Sequence, residues 1–109
     1  MTELQKLKTL KMYILIPDDI PLGHAINSAA HAGLACYLKF KEHPSMRPWL
    51  DHSFRKVTVK VTREEFEAAK GEYGWVLLTE SVLNNQEVAL AFHPRDTWPE
   101  PFKLFPLYK

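Results

Sequence analysis

The residue types best suited to chemistry lie close together in residues 18–27, DDIPLGHAIN. Asp18 and Asp19 precede His24 across a turn that contains proline and glycine, and Asn27 follows one helical turn later. A histidine that a carboxylate orients can act as a general base and activate water. The aspartates have a second explanation, because acidic residues before a helix also cap it and complement its dipole. The catalytic candidates in this segment are His24 and Asp19, and the substrate-binding candidates are Asp18, Gly23 and Asn27.

A further carboxylate, Glu80, lies near the end of the apolar segment 75–81, WVLLTES. The carboxyl ends of strands in α/β folds commonly face ligands, so this position favours a functional group. We expect Glu80 to assist His24 as a third catalytic residue and Ser81 to contact the substrate. Two roles remain open for His24, as a base or as an electrostatic group, because an imidazole is charged only part of the time near neutral pH.

Predicted strands and helices alternate along the chain and position both segments. The apolar run MYILI at 12–16 indicates a central strand buried on both faces. Residues 24–41 predict a helix, and the alternation in FRKVTVKV at 54–61 predicts a strand with one wet face near a sheet edge. A capping-box pattern at Thr62 and Glu65 starts a second helix. Strands at 75–81 and 87–94 complete a β-α-β-α-β-β order, which favours a mixed sheet with two helices packed against it.

The first predicted helix is rich in small residues and carries an apolar stripe. We expect this stripe to face the sheet, because small side chains let a helix backbone approach a sheet closely. Its members are Ile26, Ala30, Gly33, Tyr37 and Phe40, widened by Leu34 and Leu38. Within the same helix, Cys36 and His31 are interpreted as packing residues.

Size and composition predict one globular domain over residues 1–109. Hydrophobic residues make up 46% and charged residues 25%, and a net charge of +1 is too balanced for binding nucleic acid by bulk electrostatics. The start lacks the apolar core of a signal peptide, so we expect a cytoplasmic protein that does not associate with membranes. With one cysteine and no recognisable ligand spacing among five histidines, the sequence predicts no disulfide, no metal site and no cofactor.

The proline-rich ending, RDTWPEPFKLFPLYK, predicts an extended tail without a long helix. Its expected anchors are Trp98, Phe102, Phe105 and Tyr108. Packing in the core or in a dimer interface is favoured for these aromatic residues. Stacking of Trp98 and Tyr108 on nucleic-acid bases is the alternative.

Several short segments together resemble the archaeal-type, or second-type, peptidyl-tRNA hydrolase family. They are the strand MYILI, the Asp-Ile-Pro-Leu-Gly turn at 19–23, Ala-Ala-His-Ala at 29–32, the strand KVTVKV, the capped helix TREEFEAA, the pair LLTES and EVALAFHP, and the ending KLFPLYK. Their order over nearly the whole chain carries the resemblance more than any one of them. The resemblance implies an α/β fold, a three-layer α/β/α sandwich with a mixed four-stranded sheet, often homodimeric, that hydrolyses the ester joining a peptide to tRNA.

The sequence departs from the family pattern in both segments that carry the candidate residues. In the family a glycine–lysine insert supplies a catalytic lysine, whereas here Leu22, Gly23 and His24 lead straight into the helix. The resemblance makes His24 the nearest positional substitute for that lysine. After the third strand the family has an Asp-Ala-Gly turn, where this chain has Thr79, Glu80 and Ser81.

Two functions from different classes follow from these residues. The first is a hydrolase of an ester or amide in a peptidyl or aminoacyl conjugate of tRNA, with His24 assisted by Asp19 and Glu80. In this case the first amides of the helix would receive the oxyanion. The second is a non-catalytic module on the same fold that binds tRNA, a small anion or a protein partner. The missing lysine favours the second.

Overall fold

The computed structural model describes residues 1–109 and folds them around a four-stranded mixed sheet. The elements follow in the order α1 (Glu3–Leu7), β1 (Lys11–Pro17), α2 (Leu22–Phe40), α3 (Met46–His52), β2 (Arg55–Val61), α4 (Arg63–Ala69), β3 (Trp75–Glu80), a 3-10 helix (Ser81–Leu83), β4 (Gln86–Phe92) and α5 (Glu100–Leu104). No helix among them has both the length and the apolar character needed to cross a lipid bilayer.

The strands are arranged in the order β2-β1-β4-β3, so β1 is internal and β2 lies at an edge. β1 runs parallel to β2, because the intervening helices return the chain to the same end of the sheet. β4 is antiparallel to both β1 and β3. The tight connection between β3 and β4 places Asn84 and Asn85 at φ values of 56° and 60°, a region that asparagine tolerates well. The predicted mixed sheet and the central position of β1 are confirmed.

Helices cover both faces of the sheet, because successive side chains of β1 point to opposite sides and those from residue 12 to residue 16 are buried. On one face, Met12, Ile14 and Ile16 pack in a core with residues of α2 and α3. On the other, Tyr13 and Leu15 pack in a core with residues of α4 and α5. The three-layer α/β/α sandwich is therefore confirmed.

The structure contains five α-helices, so the prediction of two was too low. α2 and α4 were predicted, and α4 begins with the expected capping box between Thr62 and Glu65. α1, α3 and α5 were missed, although α1 has a capping box of its own at Thr2 and Gln5. Pro48 and Pro101 lie in the first turns of α3 and α5, where a missing N–H removes no helical hydrogen bond.

The face that α2 turns to the sheet differs from the predicted stripe. Its buried residues are Ala25, Ser28, Ala32 and Cys36. The packing role of Cys36 is thus confirmed. The stripe was wrong for Ala30, which is exposed, and for Ile26, Leu34 and Leu38, which are 57–62% exposed. His31 is also exposed, which corrects its interpretation as a packing residue. The helix approaches the sheet through its smallest side chains, and this displaces the larger apolar ones to its sides.

The C-terminal tail contains no long helix and wraps over the sheet, as predicted. Trp98 and Phe102 are buried in the core beneath α4 and β1. After α5 the chain runs along the outer edge of β2, where Leu107 bridges Val59 in antiparallel fashion. The Tyr108 N–H donates to the Thr58 carbonyl at 2.9 Å. This short pairing covers part of an edge that would otherwise present unpaired backbone groups.

We expect Gly74→Ala to lower the free energy of unfolding by more than about 1 kcal/mol. Gly74 has φ +86°, and an added Cβ would lie 2.5 Å from the ring of His93. Chemical denaturation measures the change. Gly33→Ala is the control, because Gly33 is helical and its added Cβ would meet only the Lys56 stem at 4.0 Å. This control should stabilise the protein by about 0.5–1 kcal/mol, and a loss of stability similar to that of Gly74→Ala would contradict the explanation.

We expect stability to fall as the pH drops from about 6.5 towards 5, through His93. This residue is 2% exposed and stacks on His43 at 3.9 Å between ring centroids. Burial lowers the pKa of His93 below its ordinary value, and the nearby His43 and Arg95 lower it further. The unfolded chain therefore takes up the proton first, so acid favours unfolding until the folded pKa is reached.

The measurement is the free energy of unfolding at pH 7, 6 and 5. His93→Gln should flatten the slope, which one proton limits to about 1.4 kcal/mol per pH unit. The exposed His52 provides the control, and His52→Gln should leave the slope as it is. An unchanged slope in the His93 variant would assign the acid sensitivity to other groups.

Candidate functional site

Three strands end and one begins at the same edge of the sheet, here called the upper edge. Pro17 of β1 pairs with Val61 of β2, and Glu80 of β3 pairs with Gln86 of β4. The N-termini of α2 and α4 follow β1 and β2 directly, so they also begin there. All the residues that the sequence predicted for a site lie at this edge, namely Asp18, Asp19, Gly23, His24, Asn27, Glu80 and Ser81.

The N-terminus of α2 presents its first amides without a side-chain cap. Pro21 occupies the cap position and forms no side-chain hydrogen bond, and the first turn contains no acidic residue. At Gly23 an added Cβ would meet nothing within 4 Å, so the space beside this turn is open. Unpaired amides and the positive end of a nineteen-residue helix together favour a negative charge here.

His24 lies in this first turn and is half-buried, and Asn27 is exposed in the next turn. No hydrogen bond joins the imidazole to Asp19 or to Glu80, since both carboxylates are bonded to other groups. The predicted catalytic set therefore shares an edge of the sheet without direct contact among its members. Proton transfer from a water molecule to His24 requires no such contact.

The carboxylate of Asp19 is held by Arg63, the first residue of α4. The guanidinium donates from Nε to Oδ2 at 3.1 Å and from Nη2 to Oδ1 at 2.6 Å. Its Nη1 also donates to the carbonyl of Glu87 at 2.9 Å. Arg63 thus joins the turn after β1, the start of α4 and the start of β4. The guanidinium thus binds both oxygens of the carboxylate at once, and we call this two-point contact the fork. The single ammonium group of lysine cannot reproduce it.

Glu80 is half-buried at the end of β3, and its side chain caps the 3-10 helix. Its Oε2 accepts the N–H of Val82 at 3.2 Å. Ser81 and Asp18 are exposed. The N–H of Asp18 donates to the Val61 carbonyl at 2.7 Å, which fixes the turn to the end of β2. No group of three or more histidine, cysteine, aspartate or glutamate side chains is arranged to hold a metal ion.

Sequence reasoning did not include Arg63 among the candidate residues of this site. A signal for it was present, because parallel β1 and β2 end at the same edge and Arg63 follows β2 within two residues. Asp19 and Arg63 are 44 residues apart, so only the topology brings them together.

Comparison with known families agrees with this geometry. The model of the family described as Peptidyl-tRNA hydrolase PTH2 matches residues 10–72, more than half of the chain. The chain belongs to this peptidyl-tRNA hydrolase family. At the level of the family this indicates a peptidyl-tRNA hydrolase-like function with peptidyl-tRNA as substrate. No curated protein matches the chain.

The region that matches the PTH2 family spans β1, α2, α3, β2 and α4. It contains the turn with Asp18 and Asp19, the first turns of α2 and Arg63. Glu80 and Ser81 lie after the matched region, so only their position at the upper edge supports a role for them in the site. The family match and the uncapped helix terminus therefore both favour His24 and its neighbours as the functional residues.

We expect Arg63→Met to lower the free energy of unfolding by about 1–2 kcal/mol, because it leaves the Glu87 carbonyl and the Asp19 carboxylate without their donor. Arg63→Lys should recover only part of this loss, since lysine keeps the charge without the fork. Urea denaturation measures both changes. The control is Arg47→Met, which removes an exposed i,i+4 pair with Asp51 and should cost less than about 0.5 kcal/mol. Equal losses in Arg63→Met and Arg47→Met would show that Arg63 is an ordinary surface cation.

Proposed function

We propose that the upper edge hydrolyses the ester between a peptidyl group and tRNA, with His24 as the general base. The observation that carries this proposal is the uncapped N-terminus of α2, which offers open amides beside His24 at the edge where β1 and β3 end. An ester carbonyl placed there would have an anion-stabilising group and a proton acceptor on the same turn.

The proposed reaction needs only water and the ester. His24 accepts a proton from water as the oxygen attacks the carbonyl carbon and forms a tetrahedral oxyanion. The first amides of α2 stabilise this negative charge. As the intermediate collapses, the bond to the ribose oxygen breaks, and His24 returns the proton to that oxygen. The products are tRNA and a free peptide carboxylic acid, which loses its proton to the solvent, and the base is regenerated.

The remaining candidates assist this reaction in the proposal. Glu80 contributes a negative charge at the same edge of the sheet, and Asp19 acts by pairing with Arg63 there. The exposed groups of Asp18, Gly23, Asn27 and Ser81 contact the substrate. The proposed mechanism uses no metal or cofactor. We further propose a cytoplasmic homodimer, as the resemblance to the family implies.

One observation favours the alternative, a binding module without catalysis. Asp19 is engaged by Arg63 and Glu80 caps a 3-10 helix, so neither carboxylate orients His24 directly. In that case the α2 terminus would hold a phosphate or carboxylate of the ligand without turning it over. Measured turnover separates the two functions, because a binding module retains tRNA without releasing the peptidyl group.

We expect the purified protein to hydrolyse an N-blocked aminoacyl-tRNA, and His24→Ala to lower kcat/KM by about 100-fold or more, the usual contribution of a general base. Glu80→Gln should cost about fivefold or less, because a charge without a hydrogen bond to the imidazole contributes less than about 1 kcal/mol. The measurement is the rate of release of the labelled aminoacyl group. Affinity for the uncharged tRNA should be similar in all variants.

The matched control is His31→Ala, because His31 is an exposed histidine two turns further along the same helix. It should retain full activity. Absence of turnover in the unaltered protein, together with retained tRNA binding, would favour the binding module. Full activity in His24→Ala would refute the assignment of the base.

A further inference from the structure

A groove of about 580 Å³ lies on the α2 side of the sheet, between α2, α3 and the edge strand β2. Apolar side chains form most of its lining, among them Ile14, Ala30, Leu34, Trp49 and Phe54, and Lys56 is its only charged residue. The groove exists because α2 packs on the sheet through its small residues and leaves its larger apolar side chains outside. A mostly apolar cavity of this size with few polar groups is typical of small-molecule sites.

The groove continues along α2 towards the upper edge. A second cavity of about 210 Å³ shares Ala29 and Thr58 with it and ends at Ile26 and Tyr108. Residues 56, 58 and 60 of β2 point to this side of the sheet, and Cα atoms four residues apart on a strand are separated by about 13 Å. The path is therefore long and narrow, with the cation at one end.

Phe54 at the mouth of the groove is held in an unfavourable backbone conformation. Its φ is +60°, which a bulky residue rarely adopts. The Phe54 N–H donates to the Trp49 carbonyl at 2.7 Å, and the two rings lie 5.1 Å apart. The ring nevertheless remains 58% exposed. Strain that leaves a large apolar ring in water is a feature of binding sites more than of stable packing.

Lys56 has no carboxylate partner among the ion pairs of the structure. Its Nζ donates to the Phe54 carbonyl at 2.9 Å and lies 3.3 Å from the centroid of the Phe54 ring. Burial of the side chain lowers the pKa of its amino group. An ammonium group without a carboxylate partner beside an apolar groove is complementary to an anion that carries an apolar body.

We propose that this groove binds an acyl chain with a carboxylate head, the head on Lys56 and the chain along α2 towards Tyr108. An alcohol or an alkane would fill the apolar path but leave the ammonium unpaired. A second copy of the chain would bury Lys56 against apolar side chains, which is costly without a carboxylate opposite it. The carboxylate end of this site is remote from the upper edge, because Lys56 lies at the opposite end of β2. The proposal does not depend on the proposed hydrolysis.

The test is titration of the purified protein with decanoate below its micelle concentration, followed by tryptophan fluorescence and calorimetry. Trp49 lines the groove and reports binding there. Decanol is the neutral probe of the same length. We expect decanoate to bind more tightly than decanol, and Lys56→Met to weaken decanoate binding at least tenfold while leaving decanol binding unchanged.

Two further sets of variants separate the site from general effects. Arg55→Met removes the neighbouring cation on the opposite face of β2 and should leave decanoate binding unchanged. Gly33→Leu and, independently, Ala30→Phe should fill the groove and abolish binding of both probes, with circular dichroism confirming that each variant is folded. Equal affinity for the two probes, or no effect of Lys56→Met, would refute the proposal. A dimer in sedimentation equilibrium that Gly33→Leu dissociates would also refute it, because a second copy would then occupy the groove.

Discussion

The burial of β1 on both faces is the constraint on which the rest of the structure depends. Each side chain from Met12 to Ile16 is at most 4% exposed, so both faces of the sheet must be covered. One continuous apolar strand therefore requires a neighbour on each side and a helical layer above and below. A parallel neighbour, β2, and an antiparallel neighbour, β4, meet this requirement, and the helices between β1 and β2 cover one face of the sheet. The same arrangement brings the ends of β1, β2 and β3 to one edge, where the candidate site lies.

Arg63 determines which carboxylates at that edge remain available for chemistry. Its fork occupies both oxygens of Asp19 and also the Glu87 carbonyl, and its side chain is only 29% exposed. An ion pair of this kind fixes the turn before α2 more than it adds to stability, because partial desolvation offsets part of the attraction. Asp19 is therefore best understood as a positioning residue for the loop. His24 and the open amides of α2 are left as the groups proposed to act on the ester itself.

The strands, α2 and α4 could be predicted from the sequence, because they follow from hydrophobic periodicity. The common location of the candidate residues could also be predicted, because the parallel connection places strand ends at the same edge of the sheet. The sequence was insufficient for the Asp19–Arg63 pair, which depends on a contact between distant residues. It also misassigned the buried face of α2. Hydropathy ranks Ile26 and Leu34 above Ala32, yet close packing on the sheet favours the smaller side chain. The short helices α3 and α5 were not predicted, because a proline was interpreted as a residue that ends a helix. Proline is in fact well tolerated in the first turn of a helix.

The small residues of α2 explain why one helix can serve two separate surfaces. Ala25, Ala32 and Cys36 bring its backbone close to the sheet, so its N-terminus lies near the strand ends of the upper edge. The same close approach leaves no room beneath the helix for Ile26 or Leu34, which project towards solvent. Larger residues on the buried face of α2 would increase the distance between the helix and the sheet. This displacement would move the first amides of α2 away from the upper edge and would also change the depth of the groove. The geometry of the candidate active site and that of the groove are therefore coupled through packing, although Lys56 lies at the end of β2 that is opposite to the upper edge.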